Sequence, residues 1–235
     1  MTVRHNVYGQ PIGPAVDGWS ARPRPSRIEL AGRYCRLEPV SRERHADDLF
    51  RAYMEVPDNR DWTYLSVERP ETVEELHTYM RKLELSEDPL HFAIIEALNG
   101  TAVGTAALMR IEPAHGVIEV GAIAFSPRLK KTRAATESMY LLMRYAFDEL
   151  GYRRYEWKCD TLNAPSRAAA ARYGFTFEGI FRNAIVYKGR SRDTAWHSIT
   201  AAEWPAVRAA FEAWLEPANF DEHGVQKRRL GELRT

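Results

Sequence analysis

From Arg33 onward the hydrophobic and polar positions fall into periodic segments. YCRLEPV reads as a strand, and Ser41 to Tyr53 as an amphipathic helix with Leu49, Phe50 and Tyr53 on one side. A second helix opens at Thr72, whose spacing to Glu75 (T-V-E-E) is a capping box, and carries Leu76, Tyr79, Met80 and Leu83 at helical intervals. HFAIIEAL, the turn pair Asn99-Gly100 and TAVGTAALMRI form the strongest hairpin signal in the chain. His115-Gly116 turns the chain again into VIEVGAIAF, so a three-strand antiparallel meander is expected.

Ser126-Pro127 ends the third strand. A helix from about Arg133 to Leu150 follows, stopped by Gly151, with Met139, Leu142, Met143, Ala146, Phe147 and Leu150 on the face that lies on the sheet. RRYEWKCD is the next strand, and Asn163 opens a short helix that Gly174 ends. FTFEGIF and DTAWHSIT are two further strands, with KGRSRD as a solvated loop between them, and a last helix spans Ala201 to Leu215. The order predicts an α/β (α+β) fold, a mixed and mostly antiparallel central sheet with helices on both faces. It does not read as a doubly wound nucleotide fold.

Residues 1–32 are rich in proline among Gly and Arg and are expected to form an extended arm without regular structure, tethered to the surface. Residues 33–199 form the main domain. Residues 200–235 supply the C-terminal helix and a tail, with two readings for the helix: packing on its own sheet, or a contact in a homodimer. No internal repeat is visible.

The chain has 235 residues, with 33 Lys plus Arg against 32 Asp plus Glu, so no nucleic-acid partner is expected, since phosphate neutralisation needs a broad cationic face. Cys35 and Cys159 are isolated, with no CxxC or Cys/His spacing, so neither a disulfide framework nor a metal site is expected. No apolar stretch approaches the length of about 18 residues that spans a membrane, and MTVRHNVYGQPIGPAVDGW lacks a secretory signal, so the expectation is a cytoplasmic protein with no membrane partner.

Chemistry concentrates in two places. Arg128, Lys130, Lys131, Thr132 and Arg133 precede a helix, where side-chain cations and open N–H groups together suit a pyrophosphate; a basic, solvated turn is the plain alternative. Ala134, Ala135 and Thr136 allow close approach to the backbone, while the glycines of a Walker or Rossmann loop are absent. In NAPSRAAAARYGFTFEG, helix initiation explains Asn163, Pro165 and Gly174 but leaves Ser166 unexplained, since its hydroxyl can point either into the N-cap network or toward a ligand beside the sheet.

In order, IEVGAIAFSP, KKTRAA, Thr136-Glu137, YEWKCD, Asn163 to Ser166 and GFTFEG resemble the GNAT superfamily of acyl-CoA-dependent N-acetyltransferases, closest to the branch of ribosomal-protein N-terminal acetyltransferases. The resemblance implies acetyl-CoA as co-substrate and an amine as acceptor. It places backbone groups of Ile123, Ala124 and Phe125 on the pantetheine and thioester, residues 130–136 on the pyrophosphate, and Asn163 and Ser166 near the sulfur. Glu119 is the first choice for the base that deprotonates the amine, with Glu178 second; Glu119 pairing with a cation across the sheet is the alternative. Two departures from the family pattern stand out: Arg133 replaces a glycine, and Ala170 replaces the tyrosine that protonates the departing thiolate, which leaves Ser166 as the substitute. They motivate a rival reading, a non-catalytic acyl-CoA-binding or regulatory module. A transferase using aminoacyl-tRNA is disfavoured by the charge balance. His115, His197, Tyr155, Trp157, Tyr173 and Trp196 are expected to be surface or packing residues.

Overall fold

The computed structural model describes residues 3–234. The arm contributes three two-residue strands, β1 (Arg4–His5), β2 (Pro11–Ile12) and β3 (Leu30–Ala31). Then come β4 (Cys35–Pro39), α1 (Arg42–Tyr53), α2 (Val73–Leu85), β5 (Leu90–Glu96), β6 (Ala102–Glu112) and β7 (Val117–Phe125). The second half holds α3 (Arg133–Arg144), β8 (Arg154–Asp160), α4 (Ala164–Tyr173), β9 (Thr176–Tyr187), β10 (Arg190–Thr200) and α5 (Trp204–Leu215). Eight strands form one sheet in the order β3-β4-β5-β6-β7-β8-β10-β9. Every neighbouring pair is antiparallel except β7 with β8.

Helices cover both faces, and strand alternation sorts the core. Phe92, Ile94, Leu108, Ile118, Val120 and Tyr155 face α3 and α5, whereas Ala93, Ile95, Ala102 and Ala124 face Leu49, Tyr53, Leu76 and Met80 of α1 and α2. At the start of α2 the Thr72 hydroxyl accepts from Glu75 N–H at 3.2 Å. The Glu75 carboxylate reaches back to Glu71 N–H at 2.8 Å, one residue before the cap, so the capping box is shifted by one position.

α3 ends in a π turn over Tyr145–Glu149 before Gly151. Glu137, buried in the first turns of α3, accepts the N–H groups of Arg33, Tyr34 and Cys35 at 2.8, 2.6 and 2.8 Å, tying the entry of β4 to the helix. Gly32 leaves room for that carboxylate: a Cβ there would lie 2.5 Å from it.

α5 buries Trp204, Val207, Ala210, Phe211, Trp214 and Leu215 in the main core, and its rings stack on Tyr140. Each large side chain so buried is worth about 1.5–3 kcal/mol, which fixes the helix against α3 and α4 in the core of its own chain. The arm lies across the β6–β7 turn. Trp19 Nε1 donates to Ala114 O at 2.9 Å, with the Arg22 and Arg153 guanidinium groups over its ring.

Candidate functional site

β7 and β8 run side by side only from Val117↔Arg154 to Val120↔Trp157, and beyond that register they part. The cause lies in β7. Thr105 pairs with Ala124 and Ala107 with Gly121, so β7 carries one residue more than β6 across this interval, and Ala122 adopts φ 47°. A bulge of this kind bends its strand and re-aims the backbone. Gly104, opposite the bulged stretch, permits it: a Cβ there would lie 2.9 Å from Ala124 O and 2.7 Å from a Leu129 methyl group.

The splay exposes one edge of β7. Ser126 N donates to Val103 O at 3.1 Å, toward β6, so by alternation Ala124 N–H also faces β6 while Ile123 and Phe125 N–H face the open side. Of the three backbone groups expected in the cleft, the Ala124 N–H therefore faces away from the open side, and its buried side chain joins the α1–α2 core.

The turn that follows departs from expectation in its cations. Lys130 is ion-paired with Asp61, and Arg128 with Glu55. The Arg133 guanidinium lies 4.8 Å from the Tyr34 ring centroid and 4.7 Å from that of Phe220. Lys131, exposed and at φ 63°, has no ion pair among the described residues. Thr132 caps α3 by accepting from Ala135 N at 3.1 Å, which leaves the Arg133 and Ala134 N–H groups as the open donors of the helix start. The Ala134, Ala135 and Thr136 side chains are buried, and Thr136 Oγ1 accepts from Arg172 at 3.1 Å, so these three join α3 to the core and α4.

Asn163 Oδ1 accepts from Ser166 N at 3.1 Å as the cap of α4, and Gly174, at φ 99°, ends that helix. The Ser166 hydroxyl oxygen accepts the Trp157 indole N–H at 3.0 Å and stands beside the Cys159 thiol. Burial pushes that thiol up, and the Ser166 hydroxyl partly offsets it. Ala170 is fully buried.

On the α1–α2 face, next to the splay, runs a chain of charges. The Glu119 carboxylate is 3.0 Å from Lys158 Nζ and 3.1 Å from Arg110 Nε; Lys158 also reaches Glu156 at 2.7 Å, and Arg154 joins Glu156 to Glu178. The pairing of Glu119 across the sheet is thus present. One carboxylate oxygen, Oε2, takes both cations, while Oε1 lies toward Gly121 at the start of the splay. Burial raises the Glu119 carboxyl above the ordinary glutamate value, against the pull of Lys158 and Arg110. Glu178 is held below its ordinary value by Arg154 and stands on β9, tied to the Ser198 hydroxyl at 2.8 Å. Lys158 and Glu156 were not anticipated; their alternation with Tyr155 and Trp157 along β8 is the only trace they leave in the sequence.

The expected loop KGRSRD is in fact mostly strand. β9 and β10 extend to a two-residue turn, Lys188-Gly189, with φ 48° and 68°, the handedness of tight hairpin turns. The tip docks on the α1–α2 connection: Lys188 Nζ donates to Trp62 O at 2.8 Å and Arg190 to Thr63 O at 2.7 Å. Tyr64 donates to Leu162 O at 3.0 Å. The hairpin tip and the α1–α2 connection border an open cleft of about 470 Å³ lined by Asn59, Arg60, Thr63, Glu68, Lys188 and Arg190.

Tyr155, Trp157 and Tyr173 are core residues; His197 is buried against Phe177, and Trp196 covers Lys158 with its ring centroid 3.7 Å from Nζ. His115 lines a separate cavity of about 750 Å³ with Trp19 at the far end of the sheet. Among the described residues no group of three or more His, Cys, Asp or Glu side chains could hold a metal ion, and no helix is long and apolar enough to cross a membrane.

The family described as Acetyltransferase (GNAT) domain matches residues 35–176. A GCN5-related N-acetyltransferase from Brucella melitensis is 49% identical with a TM-score of 0.92, over 93% of this chain and 99% of that one. A probable acetyltransferase (GNAT family) from Chromobacterium violaceum is 37% identical with a TM-score of 0.77, over 83% and 98%. A putative ribosomal-protein-serine acetyltransferase from Vibrio cholerae, 19% identical over 74% and 97% with a TM-score of 0.64, shares the fold. Among curated proteins none matches this chain. The splayed parallel pair, the capped helix start beside it and these likenesses agree: the chain belongs to the GNAT acetyltransferase family.

Proposed function

We propose that the protein transfers the acetyl group of acetyl-CoA to a primary amine by direct attack. The observation that carries this reading is the open edge of β7, where Ile123 and Phe125 N–H point into the gap left by β8. Such donors, fixed before the reaction, hold a pantetheine chain and polarise a thioester carbonyl. The Arg133 and Ala134 N–H groups at the start of α3, with the Lys131 ammonium, suit a pyrophosphate at the wide end of the same gap. Asn163 fixes the start of α4, and so the place of Ser166.

In the step itself Glu119 Oε1 takes a proton from the acceptor ammonium, through water, while Lys158 and Arg110 hold Oε2. The freed amine forms the C–N bond, the C–S bond breaks, and the sulfur leaves as thiolate. Ser166, whose oxygen is already fixed by the Trp157 indole, gives that thiolate a proton and regains one from the acetylated nitrogen. Release of the Glu119 proton to solvent balances the reaction as amide plus CoA thiol. The test is appearance of free thiol when acetyl-CoA and an amine panel are supplied together, with the acetylated amine identified by mass. Tight CoA binding with no thiol released across the panel would favour the non-catalytic module.

A further inference from the structure

We infer that Asp160, with the Tyr187 hydroxyl, is the docking group for the cationic end of the acceptor; this rests on the acetyltransferase reading and extends it to the acceptor. Asp160 closes β8 and pairs with Thr194, which puts it on the face of Glu156 and Lys158, on the β8 wall of the splay and next to Tyr187 at the hairpin tip. It is buried, with 5% exposure.

Its partners are both neutral. Tyr187 donates to Oδ2 at 2.9 Å and Leu162 N–H to Oδ1 at 2.9 Å, and no cation lies within ion-pair distance among the described residues. The other buried carboxylates are provided for: Glu38, Glu119 and Glu156 have cations, and Glu137 has three N–H donors. Cations on and beside the neighbouring strands have other partners. Arg192 turns its Nε to Thr194 Oγ1 at 3.1 Å, Arg190 lies over the Tyr187 ring and donates to Thr63 O, and Lys158 is taken by Glu119 and Glu156. A buried carboxylate calls for a charged partner, and an ammonium supplies the one this chain withholds.

A second polar group on the same face points the same way. The Trp196 indole nitrogen is buried without a hydrogen-bond partner, its ring held between Phe181 and the Lys158 ammonium. Trp196 stands opposite Lys158, two residues from the level of Asp160, so its N–H is a donor for an oxygen carried by the same acceptor. The ligand class is an amine that carries a second ammonium for Asp160, apart from the nitrogen that reacts beside Glu119, together with a carbonyl or hydroxyl group; Glu119 stands level with Glu156, four residues before Asp160 along β8.

The test uses the full chain loaded with CoA and titrated calorimetrically with lysinamide, the tripeptide Lys-Ala-Ala and, as a contrast that lacks the oxygen, spermidine, in the wild type and in Asp160→Asn. Acetyl-CoA affinity serves as the folding control, and Tyr187→Phe as a milder second variant. Expected are at least tenfold weaker binding of the preferred amine in Asp160→Asn, a smaller loss in Tyr187→Phe, and a raised amine KM with kcat within about threefold. Unchanged amine affinity in both variants, or no binding of any probe to the wild type, overturns the inference. Amine binding that depends on Asp160 but yields no free thiol supports it and defeats the acetyltransferase reading instead.

Discussion

Removing one lysine at a time from the turn before α3 separates two accounts of how it meets a pyrophosphate. Four cations crowd the sequence there, but Arg128 is held by Glu55, Lys130 by Asp61 and Arg133 by the rings of Tyr34 and Phe220, leaving Lys131. A charge-assisted hydrogen bond is worth about 1.5–3 kcal/mol, and an exposed ammonium lies at the lower end. Lys131→Ala should therefore weaken CoA binding about tenfold, since about 1.4 kcal/mol is one decade. Lys130→Met combined with Asp61→Asn removes an internal pair and should change affinity by less than about twofold, the pair being neutral seen from the ligand. Arg133→Ala forfeits two partly exposed ring contacts, about 1–2 kcal/mol of stability together, with CoA affinity within about threefold. Isothermal titration with CoA at low and high salt reads all three, and salt should weaken the wild type more than Lys131→Ala. An Arg133→Ala loss as large as that of Lys131→Ala, or an unaffected Lys131→Ala, would refute the assignment.

Other consequences can be measured directly. Ser166→Ala should lower kcat by more than it lowers CoA affinity, and should also cost about 1–3 kcal/mol in denaturant unfolding, because the Trp157 indole N–H loses its acceptor. With Glu119 as base, kcat/KM should fall as pH drops through a carboxyl value raised above that of an ordinary glutamate; Glu119→Gln should abolish this acid limb in a pH–rate profile. Glu137→Ala leaves three N–H groups without their acceptor and should cost about 3 kcal/mol or more, seen as a lower melting temperature even if CoA binding survives.

Local signals made much of the fold legible. Asn99-Gly100 and His115-Gly116 set the meander, Thr72 marked α2 to the residue, and the apolar face of residues 139–150 identified the helix that covers the sheet. The β9–β10 hairpin was read too short. Lys188-Gly189 is a poor turn signal by composition, because the first position must tolerate a positive φ that lysine rarely adopts, and the polar residues on either side mask an edge strand exposed on both faces. Small strands in the arm escaped for a related reason: each is two residues long and exists only through its partner.

The site divides along the same line. Asn163, Ser166 and the Thr132 cap are local features, and their geometry follows from helix initiation. What the turn's cations do depends on Asp61, Tyr34 and Phe220, distant in sequence and brought close only by the sheet and the C-terminal tail. The choice between Ala124 and its neighbours as cleft donors turned on a single bulge at Ala122, which no periodicity announces.

The most direct test of the central claim is a titration of acetyl-CoA followed by backbone amide resonances. Binding in the gap between β7 and β8 predicts large shifts at Ile123, Phe125 and residues 131–134, with Ala124, turned toward β6, moving least within its strand. Shifts confined to the cavity beside Trp19, with Ile123 and Phe125 unmoved, would contradict it.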